Sequence, residues 1–165
     1  PESWKISVPS IKDADRMLAL LENIRPETQV LDGQVYVEAL SSYVVQDIEQ
    51  EIHNVRRKLN KQGLLVGGLM ETRDDIYFHE DIEFGFAEVY EARDTENDLL
   101  RYELWITAMA TEKYFFFLYL VTPHRDTDYF VWARNTGAFK SMTRFIHPLD
   151  KEVVEINEDM PVQLE

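Results

Sequence analysis

The 165-residue chain carries 31 Asp and Glu against 17 Lys and Arg, for a formal net charge of −14 and a pI near 4.6, and it has no Cys. A surface this acidic repels nucleic-acid phosphate and anionic lipid, which argues against DNA, RNA or membrane binding and suits either solubility or a basic partner. The missing Cys excludes disulfides, thiol catalysis and Cys-ligated zinc or iron–sulfur sites. The longest apolar run is far too short to cross a bilayer, and no secretory signal is visible, which leaves the compartment open.

Trp4-Lys5-Ile6-Ser7-Val8 alternates as a short strand closed by Pro9. Ser10, three residues before Asp13, opens a capping-box-like start. Ile11, Ala14, Met17, Leu18 and Leu21 repeat with helical spacing, which predicts an amphipathic helix over 11–24, ended by Pro26. Residues 29–31 and 34–40 flank Asp32-Gly33, the pattern of a hairpin whose turn needs positive φ. Ser41 or Ser42 can cap the next helix, predicted over about 43–62, with Val45, Ile48, Ile52, Val55 and Leu59 as its apolar stripe and Gly63 at its left-handed end.

Leu64 to Met70 and Phe84 to Ala92 read as strands, the first followed by an acidic irregular segment. After the polar turn 93–98, residues 99–110 alternate, and Thr111-Glu112 leads into Lys113–Thr122, apolar at almost every position. A strand with no polar face belongs in the middle of a sheet covered on both sides. Thr122-Pro123 ends it, Asp126 to Asp128 supplies caps, and a helix follows at about 128–146, which Asn135-Thr136-Gly137 could divide. The expected fold is α+β: an antiparallel sheet, with a three-strand meander and a buried central strand, flanked by helices. Residues 1–148 form one domain, and 149–165 read as an acidic tail or linker. With Pro rather than Met at position 1, this tail fits a domain taken from a longer chain.

From the long helix onward the order of elements resembles the PsbP-like fold family, which includes PsbP-type extrinsic photosystem proteins and a eukaryotic Ran-binding release factor. The resemblance rests on residues 86–146: the meander, the strong last strand YFFFLYLVT, Thr122-Pro123, and a closing helix ending Met142-Thr143-Arg144-Phe145-Ile146. It covers a little over a third of the chain. The resemblance implies a non-enzymatic binding or assembly-factor domain and transfers no site residue. The helix expected at 11–24 departs from the family pattern, which has an early strand pair there around P-x-x-W.

Motifs with chemical meaning fall short of their requirements. His124-Arg125-Asp126 matches the opening of a kinase catalytic loop, but Val131 stands where Asn is needed, and helix capping explains the aspartates. Asp94, Glu96 and Asp98 have calcium-loop spacing, yet Leu99 and Trp105 occupy the required Gly and Glu positions. His79-Glu80-Asp81-Ile82-Glu83 lacks the second His of HExxH. Gly67-Gly68 has neither phosphate-loop spacing. Glu88, Glu91 and Glu103 come near one another across the hairpin spanning 84–110, as either a solvated acidic face or a general acid–base pair.

The candidate binding residues are Trp105, on the more polar face of its strand, and the basic cluster Arg56, Arg57, Lys58 and Lys61. Trp105 is either covered by a helix or part of an exposed patch, and the apolar neighbouring strand favours cover. The cluster either complements the helix dipole or docks an acidic partner or phosphate. The expected function is a non-catalytic interaction or assembly module without a cofactor, binding a protein with a basic face. The alternative is a small metal-dependent hydrolase using the Asp/Glu-rich segment 74–98, with His79 as a possible ligand.

Overall fold

A computed structural model describes residues 4–8, 17–25, 27, 31–41 and 47–147. Among these, seven strands form one antiparallel sheet: β1 (Trp4–Ser7), β2 (Met17–Ile24), β3 (Leu31–Ser41), β4 (Leu64–Arg73), β5 (Phe84–Asp94), β6 (Arg101–Ala110) and β7 (Tyr114–Pro123). Helix α1 (Ile48–Lys61) lies between β3 and β4, and α2 (Tyr129–Phe145) follows β7. The sheet order is β1-β2-β3-β7-β6-β5-β4, antiparallel throughout. A three-strand meander is thus joined, through α1, to a four-strand meander that returns to it at β7.

β7 occupies the centre because neither of its faces tolerates water. Phe116, Leu118 and Leu120 pack with Trp105, Met109, Val35, Val37 and Phe139 of α2. On the opposite face Tyr119 packs with Tyr36, Leu104, Ile106 and the α1 residues Ile52, Val55 and Leu59. Each fully buried large side chain stabilises the fold by about 1.5–3 kcal/mol. The two helices therefore cover opposite faces of the same sheet.

The long helix is shorter than its apolar stripe suggests. Asp47, rather than a serine, caps it, accepting from the backbone of Glu49 at 2.9 Å and Gln50 at 3.3 Å. Ser41 ends β3, and residues 42–46 lie outside the described residues. Gly63 adopts φ 91° immediately past the helix, where a side chain would be strained. At α2 the expected cap holds: Asp128 Oδ1 accepts from Val131 N at 3.1 Å. Asn135-Thr136-Gly137 does not interrupt α2.

Two expectations about the first forty residues are corrected. Residues 17–24 form a strand, not a helix, and 11–16 lie outside the described residues. Ala19 and Leu21 pack on the α2 side of the sheet and Leu20 on the α1 side. A strand apolar on both faces gives a run that also satisfies i, i+3, i+4 spacing. Asp32-Gly33 sits inside β3, not at a turn, with Gly33 opposite Asn23. The glycine serves close approach: a Cβ there would stand 2.5 Å from Asn135 Nδ2. That amide donates to Asp32 O at 2.8 Å and Thr122 Oγ1 at 3.0 Å, while Asn135 Oδ1 accepts from Asn23 Nδ2 at 2.7 Å. Gly33→Ala is expected to cost about 1–3 kcal/mol by evicting this buried amide. Chemical denaturation would measure it, and an unchanged midpoint would mean that Asn135 relaxes freely. The tail predicted at 149–165 lies outside the described residues.

Candidate functional site

The most distinctive surface runs along α2. Its buried face carries Val131, Asn135, Phe139 and Thr143. Phe130, Arg134, Gly137, Ala138, Ser141 and Phe145 follow at helical spacing on another face. Phe130 is 85 % exposed and Phe145 74 %. Between them lie Arg134, which pairs with Asp32, and the small residues Gly137, Ala138 and Ser141, and an apolar groove of about 650 Å³ lined by these four opens between α2 and the β2–β3 wing. Leu21 and Val37 belong to the sheet side of the groove, and Ala138, Met142, Phe145 and Ile146 to the helix side. Tyr129, also exposed, extends the aromatic surface at the first turn of α2, its ring 5.5 Å from that of Trp132.

The first turn of α2 stands on a buried carboxylate. Glu103 of β6 is 0 % exposed, and its Oε2 accepts from the indoles of Trp105 at 2.9 Å and Trp132 at 2.8 Å. Arg125 Nε donates to Oε1 at 2.6 Å and Nη2 to Oε2 at 3.1 Å. Burial pushes the Glu103 carboxyl up, and Arg125 with the two indoles outweighs it, so the net shift is downward. Arg125 also donates to Glu71 at 2.7 Å and lies 5.0 Å from the Trp132 ring centre. The ladder continues from Glu71 through Arg73 and Asp75 to Lys140 on α2. Arg73 and Lys140 hold the Asp75 carboxyl well below the usual carboxylate range.

The residues singled out by sequence are distributed differently from a single site. Trp105 is 1 % exposed beneath α2, in contact range of Trp132 and Phe139, so it supports the surface from within. The basic cluster divides by helical phase. Arg56 donates to Gly67 O at 2.9 Å, tying down the bulged edge strand β4, and lies 5.3 Å from the Tyr90 ring centre. Lys58 donates to Glu38 at 2.7 Å and to the Tyr119 hydroxyl at 2.8 Å under α1. Arg57 and Lys61 point to solvent, Arg57 donating to Asn54 at 2.8 Å.

Three carboxylates of the acidic segment, Glu88, Glu91 and Asp94, also have partners. Asp94 caps its own turn by accepting from Glu96 N and Asn97 N. Glu91 and Glu103 are cross-strand neighbours, each with its own guanidinium, Arg101 and Arg125. Glu88 accepts from the Tyr90 hydroxyl at 2.6 Å. His124 is buried beside Glu103, its Nδ1 accepting from Asp126 N at 3.2 Å, so the His-Arg-Asp triplet organises the entry to α2. The groove itself escaped sequence reading, although the helical phase of Phe130 and Phe145, away from Phe139, carried a signal of it. Among the described residues no helix is long and apolar enough to cross a membrane. Comparison with models of known protein families gives no match, and neither does comparison with curated proteins.

Proposed function

We propose that the chain is a protein-interaction module that seats a basic segment with apolar anchors in the groove between α2 and the β2–β3 wing. The observation that carries this reading is the apolar groove edged by the largely exposed Phe145, with Phe130 exposed one helical turn before the groove's first helix residue, Arg134, a combination that marks recognition surfaces. Net charge of −14 attracts a basic partner and accelerates its association, while Arg134, the charged residue lining the groove, is paired with Asp32. The resemblance of residues 86–146 to the PsbP-like fold family implies the same kind of role. Binding or assembly, rather than turnover, is the corresponding role.

The test is capture from lysate by the chain and by Ala138→Arg in parallel, after confirming that the variant melts like the parent. An arginine at the floor of the groove should weaken a groove-bound partner about thirtyfold or more, the cost of a lost hot spot. The partner should carry a basic face, and its association should slow as salt rises. A partner captured equally by Ala138→Arg would remove the groove as the binding site.

A further inference from the structure

His79 and Asp81 lie in the loop between β4 and β5, and His147 lies just beyond α2, far away in sequence. The fold brings them together. One ligand atom from each, imidazole nitrogen or carboxylate oxygen, falls within 4.8 Å of the others. His79 Nδ1 is 3.2 Å and His147 Nδ1 3.9 Å from Asp81 Oδ2, and the two rings stack with centres 3.9 Å apart. We propose that His79, Asp81 and His147 form a binding site for a divalent transition-metal ion of the zinc type.

The distances fit that chemistry. Ligand bonds of about 2.0–2.2 Å in a tetrahedral shell separate neighbouring donor atoms by about 3.3 Å. The His79–Asp81 edge already has this length, the His147–Asp81 edge must shorten from 3.9 Å, and the stacked rings must turn apart for both nitrogens to face one ion. The Asp81 backbone N–H donates to His79 Nδ1 at 3.2 Å, a contact that an ion taking that nitrogen replaces. Asp81 Oδ2 presents a second lone-pair donor beside it, an arrangement that a cation between them stabilises. Two imidazoles and one carboxylate suit zinc, cobalt, nickel or copper rather than magnesium or calcium, which take oxygen ligands. Three protein ligands leave the fourth position to water or another group.

The neighbourhood of the cluster is built rather than adventitious. Thr143 of α2 donates to Tyr77 O at 3.3 Å, Arg144 lies 5.3 Å from the Tyr77 ring centre, and Lys140 pairs with Asp75. These contacts hold the end of α2 against the loop carrying His79 and Asp81, and both histidine side chains are about three-quarters withdrawn from solvent, at 27 % and 28 % exposure. A bound ion would therefore fasten the loop to the helix end. This inference stands independently of the groove.

The experiment titrates zinc into the metal-free chain by calorimetry and follows the imidazole resonances of its four histidines by NMR. One equivalent should bind, shifting His79 and His147 and leaving His53 and His124 in place, and thermal unfolding should move upward by mass action. His147→Ala and His79→Ala should each weaken binding by about tenfold or more. Both positions are near the surface, so the variants should fold. No zinc binding, binding that survives both substitutions, shifts centred on His53 or His124, or equal binding of calcium would each overturn the proposal.

Discussion

Glu103→Ala is expected to destabilise the fold by about 3–5 kcal/mol, the cost of removing one partner from a buried ionic network. The substitution takes the acceptor away from two indole N–H groups and from Arg125 at once. Each buried donor left unpaired costs about 1–3 kcal/mol, and the cavity adds to it. Denaturation followed by tryptophan fluorescence measures the loss and reports Trp105 and Trp132 directly. A loss under about 1 kcal/mol would show that water replaces the carboxylate. Because Trp132 sits on α2, the same change should loosen the turn that displays Tyr129 and Phe130.

The network also sets a direction for pH. Arg125 holds the Glu71 carboxyl low against burial, and Arg73 with Lys140 holds Asp75 low. At Glu103 burial raises the carboxyl, but the hydrogen bonds from Arg125 and the indoles prevail. Groups whose folded pKa is depressed contribute stability above their unfolded value, near 4, and lose it as pH falls through the folded value. Arg125→Met removes the main cause of the depression at Glu71 and Glu103. The stability of this variant, measured by denaturation at each pH with near-ultraviolet circular dichroism as the probe, should therefore start lower at neutral pH and fall less steeply below about pH 4 than that of the parent. Coincident acid limbs would show that Arg125 does not set these carboxyls.

The central strand was legible because Tyr114 to Val121 offers water no face, and α1 because its apolar stripe repeats every third or fourth residue. β2 was not legible: its alternation is masked by leucines on both sides, and only its pairing with β1 and β3 decides between helix and strand. Asp32-Gly33 failed as a turn signal for a tertiary reason. Asp32 pairs with Arg25 and Arg134, and Gly33 makes room for Asn135, partners that local sequence does not reveal. The region of the metal cluster drew notice through His79, but its third ligand, His147, comes from the far end of the described chain. Trp105 and the basic cluster stood out by residue type. Type alone does not distinguish a side chain that meets a partner from one that holds the surface in place.

Lys58 makes that distinction measurable. Its ammonium donates to Glu38 at 2.7 Å and to the Tyr119 hydroxyl at 2.8 Å, and that hydroxyl donates to the same Glu38 oxygen at 2.6 Å. Glu38 is 2 % exposed, and the Tyr36 and Tyr119 rings stack beside the group at 4.7 Å. Lys58→Met deprives a buried carboxylate of its cation and should cost about 3 kcal/mol. This is the lower end of the range for a broken buried pair, because the lysine is about one-third exposed and water can partly replace it. Arg57→Ala, one residue away but facing solvent, should change stability by less than about 0.5 kcal/mol. In a double-mutant cycle, Lys58→Met with Glu38→Gln should cost less than the sum of the single changes, by about 0.5–3 kcal/mol of coupling. If Lys58→Met left the denaturation midpoint unmoved while weakening partner capture, the lysine would be a docking residue. A large loss of stability with coupling to Glu38 would place its role inside the fold, and would leave Arg57 and Lys61 as the members of the cluster free to meet a partner.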